Sequence, residues 1–324
     1  MSLLAVLLAL LIEQVKPRPR ADSLRQGVDQ WLHWTGQNFD AGRPRHSVVV
    51  WAITVLAPAV AVAIGFVALD HLSLLLGLAF SVAVLYATLG FRQFSHYFTD
   101  IRAALEQGDE VEARRLLAQW QQLDATDLPR TELLRHLIEH SVLAAHRRVF
   151  GVFFWAVLTA ALGLGPSGAV LYRLADYSKR YWARPNAIDG EPANAGLKAL
   201  SARAFGLLDH VPARLTAFGF AIVGNFEEAI GAWRRDSASW ADRNDGVLLA
   251  SAAGALGVQL GGQAPVASDP AAVQLGDEGT ATIGLTQGIS PQLGHLPSVV
   301  GLVWRSVILW LLLLALLSIA NLVG

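Results

Sequence analysis

From Ser47 to Phe91 the chain reads SVVVWAITVLAPAVAVAIGFVALDHLSLLLGLAFSVAVLYATLGF, with Asp70 its only carboxylate and no lysine or arginine. Few environments accept such a run. At about 1.5 Å of rise per residue, Ser47–Leu69 and Leu72–Phe91 each reach across a hydrocarbon core of about 30 Å. Backbone polar groups in lipid must be paired within the chain, so residues 47–91 are expected as a helical hairpin turning at Asp70-His71.

Other stretches repeat the pattern. Ser306–Val323 (SVILWLLLLALLSIANLV) predicts a C-terminal span over residues 304–323, with Trp304 and Trp310 where aromatic rings favour the membrane interface. Val149–Leu164 is apolar, is broken by Gly165-Pro166-Ser167-Gly168 and resumes over Ala169–Leu174. The second arm is too short to cross alone, so residues 149–174 read as a span or as a re-entrant hairpin. Residues 1–12 are apolar but short, and they lack a basic leader and a small-residue cleavage site, so they read as a shallow anchor. The expected fold is all-α: one polytopic membrane domain over residues 1–324, with helical hairpins, a candidate re-entrant segment and cytoplasmic amphipathic helices.

Composition narrows the function classes. The chain is 53% hydrophobic and 16% charged with a formal net charge of −1, which gives no electrostatic reason for a nucleic-acid partner. The bilayer is the expected partner, with a membrane or cytoplasmic protein as a further one. No cysteine is present, so disulfides, thiolate metal sites and a cysteine nucleophile are excluded, and the single methionine argues against a Met-lined groove. The polar stretches are basic: Lys16, Arg18, Arg20, Arg25, Arg43 and Arg45 in the first, Arg92 to Arg148 in the second, Lys179 to Arg243 in the third. The positive-inside tendency places all of them in the cytoplasm and both termini outside.

The polar regions read as helices. Ile101, Leu105, Leu116, Leu117 and Trp120 recur at helical spacing within Asp100–Leu123, with Glu110 and Arg114 paired four apart. Leu128-Pro129-Arg130-Thr131 breaks and restarts the chain, with Thr131 as the expected N-cap of a helix through Arg148. Gly246–Gly262 is rich in small residues and suits a close-packed helix, whereas Gln263–Pro297 is expected as a long loop.

Catalytic patterns are sparse. His136 and His140 share a helix face beside Glu139, but no His-Glu-x-x-His pattern accompanies them and Arg135, Arg147 and Arg148 crowd the region, so they read as interfacial histidines and no metal site is expected. Ser167 lacks a nucleophile-elbow context, and Gly254–Gly262 lacks the lysine and preceding strand of a phosphate loop. What remains is polar residues beside apolar helices: Glu139, Arg173, Asp176, Asp209 and Arg214. Of these, Glu139, Asp209 and Arg214 are expected to cluster at the cytoplasmic membrane surface.

A series of short blocks stands in one order: Leu105-Glu-Gln-Gly-Asp109 with Glu112-Ala-Arg-Arg-Leu116, Glu132-Leu-Leu-Arg135 with Ile138-Glu139, Gly165-Pro-Ser-Gly-Ala-Val-Leu-Tyr-Arg173, Val211-Pro-Ala-Arg-Leu-Thr-Ala217, and Ala253-Gly-Ala-Leu-Gly-Val258 with Leu260-Gly-Gly262. The series resembles the CobD/CbiB family of cobalamin biosynthesis, membrane adenosylcobinamide-phosphate synthases, and its AmpE branch. Glu13 and His46 stand where the family carries an early acid and a His-Pro-Val motif. The resemblance implies a bacterial inner-membrane location and a reaction joining aminopropanol phosphate to a corrinoid carboxylate with ATP and Mg²⁺. Departures accompany the match. Leu143, Ala144 and Arg147 stand at later Glu, Asn and Asp positions of the family, Phe205 and Gly206 at paired aspartates, Trp240 at a histidine and Leu249 at a glutamate, and Asp176-Tyr-Ser-Lys-Arg180 replaces a Thr-Leu-Asp-Ser-Met stretch.

Losing several acids removes oxygen ligands for Mg²⁺. The expected function is therefore a non-catalytic, AmpE-like sensing or regulatory membrane protein needing no cofactor. The alternative is a divergent synthase using Mg²⁺ and ATP, with Glu139, Asp209, Arg214, Asn244 and Asp245 as candidate site residues. A transporter or structural subunit is a third reading.

Overall fold

The computed structural model describes residues 2–15, 22–39, 44–121, 128–184, 188, 193–262 and 284–323. Among these residues the structure is helical, and three helical runs, His46–Leu72, Arg130–Ala161 and His295–Ala320, are long and apolar enough to cross a membrane. The basic residues Lys16, Arg18, Arg20 and Arg43, and the part of Gln263–Pro297 up to residue 283, lie outside the described residues, as does the side chain of Glu13. The chain divides into two compact units, Met1–Arg92 with Arg147–Pro212 and Gln93–His146 with Ala213–Gly324.

In the first unit, α1 is Ser2–Val15, α2 Asp22–Phe39, α3 Pro44–Trp51, α4 Ala57–Leu72 and α5 Leu74–Thr88, with a π turn over Ala52–Leu56 joining α3 to α4. The expected hairpin over 47–91 forms, but its turn falls at Ser73 rather than Asp70-His71. Ser73 leaves helical geometry (φ −164°, ψ 132°) and its hydroxyl accepts from Leu75 N–H at 3.3 Å, so it caps α5. The second arm is accordingly only 15 residues long, about 22 Å. The amphipathic α2 gave no clear sequence signal. It docks through Leu32 against Val50, Trp182 and Leu197, while Tyr177 Oη donates to Asp29 at 2.7 Å.

Farther along, the chain forms a second hairpin. A π turn over His146–Phe150 leads into α9, Gly151–Ala161, and α10 is Ser167–Trp182. The second arm is longer than the apolar run Ala169–Leu174 suggested, because α10 continues as an amphipathic helix that packs on α9, α4 and α5. Its turn needs Gly163 and Gly165 at positive φ (76° and 59°), and a Cβ at Gly165 would overlap the Phe66 ring of α4.

In the second unit the expected single helix Asp100–Leu123 is two: α6, Phe91–Glu106, and α7, Glu110–Gln121. Gly108 at φ 79° breaks the helix, and Asp109 restarts it by accepting from Glu112 N–H at 2.9 Å. The next helix, α8, is Arg130–Ala145, capped by Pro129 rather than Thr131, since a proline beside the first turn wastes no N–H. Beyond α11 (Ala195–Val223) come α12, Phe226–Asp236, α13, Arg243–Leu256, and α14, His295–Val323. The small residues of α13 do allow close packing: a Cβ at Gly254 would strike the Glu228 carbonyl of α12.

Two boundaries differ from the sequence reading. The helix expected over Gly246–Gly262 stops at Gly257, which takes the left-handed conformation (φ 68°) of a helix terminus. Residues 284–294, expected as loop, are tied back: Gln259 N–H donates to Ile289 O at 2.9 Å and Thr286 N–H to Leu260 O at 2.9 Å. The C-terminal helix starts at His295, well before residue 304.

Candidate functional site

Glu139 and Arg135 lie one turn apart on α8, so both reach the same point beside that helix. That point is the Gly261 peptide. Glu139 Oε1 accepts from Gly261 N–H at 2.7 Å, and Arg135 Nη1 donates to Gly261 O. Arg135, only 5% exposed, also pairs with Glu132 and lies 3.8 Å from Glu139 Oε1. His136 Nδ1 sits 4.0 Å from Glu139 Oε2. A buried cation is retained because two carboxylates and a carbonyl surround it. The clamp needs glycine at its target, since Gly261 and Gly262 adopt φ of 85° and 127°.

The two blocks that most specifically carry the resemblance meet within this unit. Ser251 Oγ of α13 donates to Ala217 O of α11 at 2.7 Å. Asn244, 5% exposed in the first turn of α13, accepts from Arg214 Nη1 at 3.2 Å. Asp242 caps the same helix by accepting from the N–H groups of Asn244 (2.9 Å) and Asp245 (3.4 Å), leaving Asp245 half-buried on the first turn. Thr216 and His146, both fully buried, lie 3.0 Å apart between Oγ1 and Nδ1. Trp240 lies against Gly246 and Gly284, and Leu249 is buried.

Asp209 belongs to the first unit and is 1% exposed there. Tyr172 Oη of α10 donates to its Oδ1 at 2.6 Å. One turn beyond Tyr172, Asp176, also 1% exposed, binds Arg180 Nη2 at 2.5 Å and lies 3.5 Å from Arg173 Nη1. Burial pushes the Asp176 carboxyl up, but Arg180, Arg147 and Arg173 together outweigh it and hold it below the usual aspartate range. Phe205 packs on Tyr172 with 5.5 Å between ring centroids, and Lys179 Nζ lies 5.2 Å above its ring.

Each of the three residues expected to cluster has a hydrogen-bond partner within its own unit: Glu139 the Gly261 backbone, Arg214 Asn244, and Asp209 Tyr172. Sequence reasoning gave no role to Arg135, Tyr172, His146 or Thr216. Their signal was a polar group inside an otherwise apolar helical stretch, which demands a partner without naming it.

Comparison with known proteins agrees with the blocks described above. The family model described as CobD/Cbib protein matches residues 3–283. Cobalamin biosynthesis protein CobD of Stutzerimonas stutzeri is 31% identical over 317 residues, covering 96% of both chains. The protein of the same name from Chromobacterium violaceum is 34% identical over 190 residues, covering 59% of this chain and 58% of its own. A Leptospira interrogans protein, again named CobD, is 26% identical over 231 residues, 67% of this chain and 66% of its own. No solved structure matches. A match over nearly the whole length, on an all-helical chain with three helices able to cross a bilayer, leaves one conclusion: this membrane protein belongs to the CobD/CbiB family.

Proposed function

We propose that this chain is a non-catalytic, AmpE-like member of its family, acting in sensing or regulation at the bacterial inner membrane. The observation that carries this reading is the fate of its buried carboxylates. Magnesium and nucleotide chemistry needs oxygen ligands open to an ion and its waters. Asp176 is enclosed by Arg180 and Arg173, and Asp209 accepts the Tyr172 hydroxyl, at 1% exposure each. Glu139 is engaged by the Gly261 N–H. Leu143, Arg147, Phe205, Gly206, Trp240 and Leu249 offer no replacement carboxylate at the family's positions. Carboxylates already engaged by the protein's own groups count against a magnesium–ATP pair.

A second reading keeps the synthase activity. It is favoured by the relatives, which are named cobalamin biosynthesis proteins, and by Glu139, Arg214, Asn244 and Asp245 falling within one unit. Mg²⁺ can bind through one or two carboxylates while keeping several waters. The two readings separate in one assay: complementation of a strain lacking the synthase, scored for growth on cobyric acid, alongside purified protein given adenosylcobyric acid, aminopropanol phosphate, ATP and Mg²⁺. The non-catalytic reading expects neither growth nor product. Product formation that requires Mg²⁺ and nucleotide and disappears in Glu139→Ala overturns it.

A further inference from the structure

The turn of the α9–α10 hairpin stops short of the end of the helix beside it. The helical run Arg130–Ala161 is long enough to cross as a whole, but past its last charged residue, Arg148, only Val149–Ala161 remains, about 20 Å against about 30 Å of hydrocarbon. The hairpin turn meets α4 at Phe66, six residues or about 9 Å before that helix ends at Leu72. The turn is therefore level with the interior of α4 rather than with its end. Irregular backbone at such a depth survives only if the protein itself pairs it. Thr159 does so: its Oγ1 accepts from Gly168 N–H at 3.0 Å and lies 2.8 Å from Gly165 O.

Where the hairpin turn stops short against α4 a groove of about 580 Å³ remains. Ala59, Ala63 and Ala68 of α4 face Leu164, Gly168 and Leu171 across it. The lining is apolar, and the Thr159 hydroxyl at its edge is already engaged by the hairpin backbone. An occupant thus gains nothing from a polar group and loses the hydration of any it carries. From Leu56 to Ala68 the groove follows α4 for about 18 Å, close to the depth of one leaflet, half of a core of about 30 Å. Val60 and Ile64, 55% and 66% exposed, flank it on a helix whose apolar window is only 22% buried, so it opens sideways to the bilayer.

We propose that the α9–α10 hairpin re-enters the bilayer without crossing it, and that the groove it leaves against α4 holds one acyl chain of a membrane phospholipid. The chain completes the packing of Ala63 and Ala68, which the protein leaves partly exposed, and it resides there longer than the lipid covering the outer faces.

Two measurements on the full-length protein in nanodiscs test this. In the first, phosphatidylethanolamine carrying a diazirine on its acyl chain is photolysed and the adducts are mapped by peptide mass spectrometry. Adducts are expected on residues 59–68 and 164–171 and are expected to persist after dilution with unlabelled lipid that removes those on Leu312–Leu317 of α14. Ala63→Trp, which fills the groove, should reduce the groove adducts several-fold and leave the α14 adducts unchanged; Ala63→Leu serves if the larger side chain prevents folding. Groove labelling no more persistent than that of α14, labelling unmoved by both variants, or photocrosslinking of α4 to another polypeptide instead would overturn the proposal. In the second, Leu164→Cys, the sole thiol of the chain, should resist impermeant maleimides from both sides. Its reaction from either side would refute re-entry.

Discussion

Replacing Thr159 with valine tests whether a single hydroxyl holds the hairpin turn together. The threonine Oγ1 accepts the Gly168 N–H at 3.0 Å and has one proton for Gly165 O at 2.8 Å or Trp155 O at 2.9 Å. Trp155 O lies one turn back along α9, whereas Gly165 O is in the turn, where no helix continues to pair it. Valine preserves the branched shape and deletes the oxygen, leaving the Gly168 N–H buried without its acceptor. A buried orphan of this kind costs about 1–3 kcal/mol, so a central expectation of about 2 kcal/mol corresponds to roughly a thirtyfold loss in the folding equilibrium. Thr159→Ser retains the oxygen and loses only a methyl group, with an expected cost of about 1 kcal/mol or less. Unfolding of both variants in mixed micelles titrated with SDS, followed by tryptophan fluorescence, gives the two values directly. If valine proves as stable as threonine, or if serine falls as far as valine, the hydroxyl is not what pairs the turn.

Tyr172→Phe removes the donor to buried Asp209 and should destabilise by about 1–3 kcal/mol, and the double variant with Asp209→Asn should lose less than the sum of the two single variants; an additive result would refute the pairing. Asp176, held below the usual aspartate value of about 3.9, contributes stability above that pH and loses it as pH falls through its lower folded value. The stability difference between wild type and Asp176→Asn should therefore be constant from pH 7 to 5 and shrink below about pH 4; a difference that grows on acidification would reverse the sign. In cells, a lone cysteine at Gln107 or Arg243 should be protected from impermeant reagents applied from the periplasm, because the basic stretches that contain them are expected in the cytoplasm; labelling there would invert the topology.

The membrane character and the first hairpin were legible because Ser47–Phe91 leaves no alternative environment. The precise turn was not, since Asp70 looks like punctuation by charge whereas Ser73 provides it by accepting from Leu75 N–H. The α6–α7 break escaped because Gly108 lies between two stretches that share helical spacing, and only its positive φ separates them. Glu139, Arg214 and Asp209 could be singled out as polar groups in costly positions. Their partners could not, because Gly261 N–H is a backbone group far along the chain and carries no side-chain signature. Likewise, the return of Thr286 to Leu260 spans 26 residues and is made by backbone bonds and one buried hydroxyl, which accepts from Leu260 N–H at 2.7 Å, within a segment without periodicity.

The π turns over Ala52–Leu56 and His146–Phe150 each lodge an additional residue in an otherwise regular helix. An α-helix advances about 100° per residue, so deleting one residue within 146–150 would restore regular winding and swing everything after it by that angle relative to everything before. Gly151 is the first residue after the second turn, and a Cβ there would overlap the Tyr172 ring. Because Tyr172 also lies after the turn, such a deletion would carry Gly151 and Tyr172 round together and leave their contact intact. A relative can therefore lack the extra residue and still need its glycine, which makes the length of the helix before Gly151 and the glycine that meets Tyr172 two independent characters in evolution.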